Sequence, residues 1–230
     1  MKFFLIIISG LSIYFLSCDG LNNDSGIGIS TSGEPASLTP EQDSRVDSLS
    51  NADGVSVPYA GSVEEISKKI AVEEDKHELA QLYLDRGREE KSLGHLNNAL
   101  SDFDRSISLY NGLRSSYFSR AMLRLEMKDF EGVLRDCNTL IEKGWGDRTI
   151  YEMKGEAKAG LKDFRGAITE YNIAIEDKDY PRIVKCYTYY LRGVARHELG
   201  DNNGACSDWS TSGDIEPSQK AYEMIKKYCN

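Results

Sequence analysis

The side chains that most often carry chemistry in proteins are scattered along this chain rather than grouped. Its three histidines, His77, His95 and His197, lie far apart, whereas two zinc-binding imidazoles on one helical face are four residues apart. The acids Glu64 and Glu65 are adjacent, so on a helix they point in different directions and cannot act together on one substrate. No glycine-rich phosphate loop or nucleophile elbow follows a strand. The sequence therefore predicts no catalytic residue, metal site or cofactor, and we expect that the protein is not an enzyme.

Cysteines are the remaining residues of chemical interest. Cys206 and Cys229 flank a turn near residues 216–217, and the antiparallel register of two helices puts Cys229 about half a turn from the level of Cys206. This spacing is compatible with a disulfide and equally with two separate thiols. Cys137 stands where other repeats have an aromatic residue, which predicts a buried free thiol. Cys186 receives no role from the sequence.

The first residues resemble an export signal rather than folded structure. Lys2 precedes an apolar run over residues 3–16, which is shorter than the roughly 20 residues of a membrane-spanning helix. The run ends in Ser17 and Cys18, and this ending resembles the lipobox of bacterial lipoproteins. The resemblance implies that residues 1–17 are a signal peptide and that Cys18 carries a lipid. It also implies a place in the cell envelope, on its periplasmic or cell-surface face. The alternative is an ordinary signal peptide followed by an incidental cysteine.

Composition and charge separate a tether from the folded part and exclude one class of partner. Residues 18–61 are rich in Gly, Ser, Asn and Asp, with seven acids against the single base Arg45. Such a segment cannot bury enough apolar surface to fold and is extended by its own charge, so we expect a disordered acidic tether. The whole chain has a formal net charge of -9, which disfavours nucleic acid as a partner.

Four columns of similar residues recur in one register along the rest of the chain. Successive members lie 34, 34 and 38 residues apart, and the longer last step indicates an insertion near residues 179–181. The first two columns are aromatic and then small: Tyr83, Tyr117, Tyr151 and Tyr189, and Gly87, Ala121, Gly155 and Gly193. The other two are small and then mostly aromatic: Ala99, Val133, Ala167 and Ala205, and Phe103, Cys137, Tyr171 and Trp209. A repeating unit of two packed amphipathic helices explains the columns, because small residues let the two helices approach closely.

The pattern resembles the tetratricopeptide repeat family. The resemblance implies an all-α, right-handed superhelical solenoid of antiparallel helix pairs, with units at residues 80–113, 114–147, 148–181 and 186–219. In three units an Asp precedes the second helix as a predicted N-cap. Ser62 and Glu65 form a predicted capping box for an N-terminal helix over residues 62–79, and residues 220–230 are a predicted capping helix. Asn202 and Gly213 depart from the pattern by replacing apolar residues.

Two charged columns accompany the packing columns. Each unit has a base before its small residue and an acid before its second-helix aromatic position, namely Arg86, Arg120, Lys154 and Arg192, and Asp102, Asp136, Glu170 and Asp208. We interpret them as a ladder of structural ion pairs between the two helices. The alternative is a charged binding groove.

The expected function follows from the concave surface that the resemblance implies. The first-helix residues off the packing columns are largely apolar with aromatic anchors, a composition typical of protein-interaction sites. The family's clamp for a carboxylate terminus is not matched. We therefore expect a monomeric, membrane-tethered scaffold that binds a partner protein or peptide, the alternative being a permanent subunit of an envelope enzyme or secretion complex. The predicted groove consists of Leu84, Arg88, Phe118, Met122, Leu125, Met153, Tyr187, Tyr190, Val194 and His197.

Overall fold

The computed structural model describes residues 61–179 and 181–229, and within these ranges the chain is helical with no strand. The proposed signal peptide, the lipid site at Cys18 and nearly all of the proposed tether lie outside the described residues. The α-helices are α1 (Val63–Ile70), α2 (Lys76–Ser92), α3 (Leu96–Leu109), α4 (Arg114–Glu126), α5 (Phe130–Glu142), α6 (Arg148–Gly160), α7 (Phe164–Glu176), α8 (Cys186–Glu198), α9 (Asn202–Ile215) and α10 (Gln219–Tyr228).

The helices pack in sequential antiparallel pairs, which confirms the predicted all-α solenoid. The pairs are α2 with α3, α4 with α5, α6 with α7, and α8 with α9, while α1 packs on α2 and α10 on α9. The predicted N-terminal helix over residues 62–79 is shorter than expected, because α1 ends at Ile70 and α2 already begins at Lys76. Asp75 explains the break, since its carboxylate accepts hydrogen bonds from the backbone of the first turn of α2.

Two local features form the turn between the helices of a pair, namely an N-cap on the second helix and a residue with positive φ after the first. Asp129, Asp163 and Asp201 cap their second helices as predicted, each accepting a hydrogen bond from a glycine amide three residues on, at 2.9–3.0 Å. The second residue after the first helix takes a positive φ, which closes the helix end through backbone hydrogen bonds. Gly94 and Gly200 fill this position in two units, whereas Lys128 and Lys162 do so in the others, with φ of 60° and 64°.

Small residues let the two helices of a pair approach closely, as the sequence predicts. A Cβ at Gly87 would lie 2.7 Å from the Phe103 ring. A Cβ at Gly193 would lie 2.5 Å from Nε1 of Trp209. The second unit keeps the column with Ala121, and there the facing residue is the small, fully buried Cys137 instead of an aromatic ring. The extra methyl group and the lost ring therefore compensate each other within one pair.

Two further features stabilise the inserted segment before α8 and the C-terminal end of the solenoid. The insertion forms a short 3-10 helix, Arg182–Lys185, which leads into α8. The Nζ of Lys185 donates a hydrogen bond to the Ile175 carbonyl at 2.7 Å, which satisfies the C-terminus of α7. At the other end a disulfide joins Cys206 of α9 to Cys229, with the Cα atoms 5.7 Å apart. Cys137 is a free buried thiol, as predicted.

The solenoid has an inner face made of its first helices. Successive first helices, α2, α4, α6 and α8, contact one another more closely than successive second helices do. The layer with the closer spacing lies on the inner side of a curved stack. We call the surface of these four helices that points away from their partners the inner face. Within the described ranges no helix is both long enough and apolar enough to span a membrane.

Candidate interaction surface

Part of the predicted groove lies in the core rather than on the inner face. Leu84, Phe118, Met153 and Val194 are each at most 6% exposed. The prediction that they line an open groove is therefore wrong. Phe118 and Met153 belong to one core cluster and are buried between adjacent first helices. Leu84 packs in a cluster with Leu123 of the next first helix, whereas Val194 packs in the cluster that α10 closes.

The C-terminal end of the predicted groove is covered by α10. The rings of His197 and Tyr228 have centroids 4.2 Å apart. Tyr190 packs in the same cluster as Met224 and Ile225 of α10. Tyr190 and His197 therefore stabilise the capping helix, which corrects their expected role as anchors for a partner.

The accessible middle of the inner face lies before the part that α10 covers. Arg88, Met122, Leu125 and Tyr187 are partly exposed there. Charged side chains near Arg88 are paired. The Nζ of Lys91 lies 3.7 Å from the carboxylate of Glu126 on the next first helix. This stretch therefore combines partly exposed apolar side chains with charged groups that are already paired.

Two carboxylates one turn apart dominate the C-terminal part of this stretch. Glu152 is buried, its carboxylate lies 2.5 Å from Arg148, and it accepts a hydrogen bond from the Thr188 hydroxyl of α8. Burial raises the pKa of Glu152, and Arg148 opposes the rise. For Glu156, burial and then the neighbouring Glu152 raise the pKa to about 8. Glu156 shares a hydrogen bond with the Tyr187 hydroxyl. Their desolvation depends on how α6 packs against neighbouring helices, which the repeat pattern does not contain.

The charged columns form a ladder of ion pairs, as predicted. The base and the acid of each unit lie 16 residues apart in the chain, and their charged atoms are in contact in all four units. The distances are 2.6 Å for Arg86–Asp102, 2.5 Å for Arg120–Asp136, 3.3 Å for Lys154–Glu170 and 2.7 Å for Arg192–Asp208. Because these bases pair with the second helices rather than pointing freely into a groove, the ladder is structural.

A second row of cations in the ladder was missed. Arg124, Lys158 and Arg196 lie one turn beyond the first row and reach the same acids at 2.8, 2.5 and 2.9 Å. Their i+4 spacing from the first row is visible in the sequence and could have revealed them. In the first unit Glu90 occupies this position, and its carboxylate lies 2.7 Å from Nδ1 of His95 instead.

The ladder also joins neighbouring units. Arg120 donates to Asp104 of the preceding second helix at 2.6 Å, and Arg192 donates to Asn172 at 2.7 Å. Arg86 reaches Ser67 of α1 in the same way, at 3.1 Å. Three of the four bases therefore connect their own pair of helices to the element before it, so the ladder helps to fix the angle between repeats.

Among the described residues, no group of side chains is arranged for metal binding. Burial raises the pKa of the Cys137 thiol to about 12. This thiol is therefore protonated at neutral pH and is a poor nucleophile.

Comparison with known proteins supports the same architecture. No family model matches the sequence, and no curated protein matches it. Among solved structures, the TPR protein YrrB is similar with a TM-score of 0.57 and 16% identity, covering 73% of this chain and 92% of its own. MamA from Desulfovibrio magneticus RS-1 gives a TM-score of 0.57 and 17% identity, covering 78% of this chain and 96% of its own. A tetratricopeptide repeat protein from Parabacteroides merdae gives 0.54 and 16%, covering 83% and 70%. At these identities the likeness concerns the fold, and the chain has the fold of tetratricopeptide repeat proteins.

Proposed function

We propose that this protein is a scaffold that binds a segment of a partner protein on the accessible middle of its inner face. The observation that carries the proposal is the surface itself, where Met122, Leu125 and Tyr187 stay partly exposed on the part of the inner face that α10 does not cover. The fold supports it, since stacked helix pairs form extended binding surfaces. YrrB, which shares the fold, is described as having an unusual peptide-binding site.

The proposed surface is preformed, which favours binding of a flexible segment. Its charged groups are held by pairs such as Lys91 with Glu126, and its apolar side chains pack on the core cluster around Phe118. A rigid surface loses little conformational entropy on binding, so the cost of ordering falls on the partner. We therefore propose an extended or helical segment as the ligand.

Site-specific photocrosslinking in cells tests this proposal. A photoreactive amino acid at Met122 on the inner face should give a discrete adduct with one partner. The matched control is the same amino acid at Arg135, which is exposed on the second helix α5. Equal adducts from both positions, or adducts from Arg135 alone, would contradict the proposed surface.

We further propose that Cys18 is the lipid anchor that places this surface in the cell envelope. The support is the sequence, in which Cys18 follows Ser17 at the end of the apolar run. Cys18→Ala should move the protein from the membrane fraction to the soluble fraction, as read by fractionation and immunoblotting. A variant that stays with the membrane at unchanged abundance would show that the anchor lies elsewhere.

A further inference from the structure

Within the described part of the chain, the carboxylate of Glu156 has no cationic partner, whereas the inner-face acids Glu152 and Glu126 each have one. Glu152, one turn earlier on α6, is neutralised by Arg148 at 2.5 Å. Glu126 has Lys91 at 3.7 Å. Among the described residues, no Lys, Arg or His nitrogen lies within 4.0 Å of Glu156, whose hydrogen bond comes from the neutral Tyr187 hydroxyl.

A second polar group near Glu156, the Tyr171 hydroxyl, has no hydrogen-bond partner among the described residues. The Tyr171 side chain is fully buried, and its hydroxyl makes no hydrogen bond within the described part of the chain. The electrostatic neighbours of this hydroxyl are Glu156, Tyr187 and Glu152. A buried hydroxyl costs free energy when it makes no hydrogen bond, so a hydrogen-bonding group that enters here would be favoured.

The place is open to a ligand from the inner face. Glu156 and Tyr187 are partly exposed, while Tyr171 and Glu152 form the floor. The charged and titratable groups facing Glu156 are Glu152 on its own helix, Tyr171 on α7, Tyr187 on α8 and Lys220 on α10. Lys220 acts on Glu156 through space and is not within ion-pair distance. The local charge is therefore suited to a cation.

We propose that the surface between α6 and α8 binds a lysine or arginine side chain of the partner segment, with Glu156 as its counter-ion. This inference rests on the proposed function and names the chemistry of the partner. Ammonium and guanidinium groups carry several N–H donors and no acceptor, and the site offers the carboxylate of Glu156 with the oxygens of Tyr171 and Tyr187 as acceptors. The cation would take the place that Arg148 has for Glu152 and Lys91 has for Glu126.

The affinity of the site for a cation should also depend on pH, because binding is linked to the release of a proton. Without ligand, Glu156 with its pKa near 8 holds a proton at neutral pH. Binding a cation requires the carboxylate, so it releases that proton. Between pH 6 and pH 8 the affinity should therefore rise by up to about tenfold per pH unit and then level off.

Oriented peptide libraries test the inference on the full chain. The probes are fluorescent 12-residue degenerate peptides with a fixed central Lys, Arg, norleucine or Glu, and affinity is measured by fluorescence anisotropy at pH 6, 7 and 8. The wild type should prefer the Lys or the Arg library over norleucine by at least about tenfold, and comparison of these two identifies the preferred cation. Glu156→Gln should lose the preference and the pH dependence while still binding the norleucine library. Glu142→Gln, on the exposed end of α5, is the matched control and should behave as the wild type.

The outcomes separate this inference from the proposed function. Binding of all four libraries with the same affinity, or a cation preference that survives in Glu156→Gln, would overturn the inference and leave peptide binding intact. No binding of any library would contradict the proposed function and the inference together.

Discussion

Gly193 and Gly213 are both helical glycines of the last repeat, and their surroundings differ. A Cβ at Gly193 would lie 2.5 Å from the Trp209 ring, whereas a Cβ at Gly213 would meet nothing within 4 Å. Gly193→Ala should therefore destabilise the protein by about 1–3 kcal/mol through overpacking. Gly213→Ala should stabilise it by about 0.5–1 kcal/mol, because alanine favours the helix and restricts the unfolded chain. Urea unfolding of both variants checks the opposite signs, and equal effects would contradict this packing.

Glu156 is the residue whose titration should matter most for stability. Its folded-state pKa of about 8 lies above the ordinary value of 4.5, so folding favours the protonated form. Below the unfolded pKa both states bind the proton, so burying Glu156 does not cost stability. As the pH rises from there through 8, the unfolded state gives up the proton first, and the folded state becomes less stable. Glu156→Gln should therefore be more stable than the wild type at pH 8.5, by roughly 1–3 kcal/mol, and nearly equal at pH 4.5.

Urea unfolding at these two pH values measures the difference. The control Glu142→Gln removes an exposed carboxylate and should show no comparable gain at pH 8.5. A Glu156→Gln advantage that does not grow with pH would mean that Glu156 is not desolvated in the folded protein.

Single residues were predictable where the repeat fixed their environment. The small-to-aromatic contacts, the ion pairs and the Asp caps each recur in several units, so a column of the sequence was enough to place them. The burial of Phe118 and the covering of Tyr190 were not predictable in this way. Both depend on how closely a neighbouring first helix or α10 packs, which the pattern inside one unit does not contain.

At the scale of helices, the turns inside the second and third units carry strain that can be removed. Lys128 has a φ of 60°, a conformation that costs a residue with a Cβ about 1 kcal/mol relative to glycine. Lys128→Gly should therefore stabilise the protein by about that amount in thermal or urea unfolding. Lys128→Ala removes the same charge but keeps the Cβ, so it should leave stability nearly unchanged. Equal stabilisation by both variants would attribute the gain to charge rather than to backbone conformation.

The sequence predicted the helices from their columns and caps, and most helix starts agree with the unit boundaries. The starts of α4, α6 and α8 fall at residues 114, 148 and 186, the predicted beginnings of three units. The early start of α2 was missed because the first unit has no preceding repeat to set its boundary. There Asp75 decides by capping the helix at Lys76, and a cap outside the repeating pattern is a weak signal.

At the scale of the whole molecule, the disulfide should stabilise one end of the solenoid rather than all of it. Repeats contact only their neighbours, so the effect of a local bond decays along the stack. The double variant Cys206→Ser/Cys229→Ser should lose roughly 3 kcal/mol locally, by the chain-entropy relation for such a loop. Amide exchange should become faster in α9 and α10 and stay unchanged in α2 and α3. Uniformly faster exchange would contradict the independence of the two ends.

Peptide mapping of the unreduced protein checks the bond itself. A tryptic fragment pair that joins Cys206 to Cys229 is expected in the oxidised protein. Alkylation of both cysteines without prior reduction would show that the bond is not formed in solution.

The central claim is that the inner face of the solenoid binds the partner. Amide exchange of the protein with and without the partner captured by the Met122 crosslink, read by mass spectrometry, tests it most directly. The account predicts that protection on binding is concentrated in the first helices α4, α6 and α8, and that the second helices α5 and α7 are unaffected. Protection confined to α5 and α7, or spread equally over both layers, would contradict it.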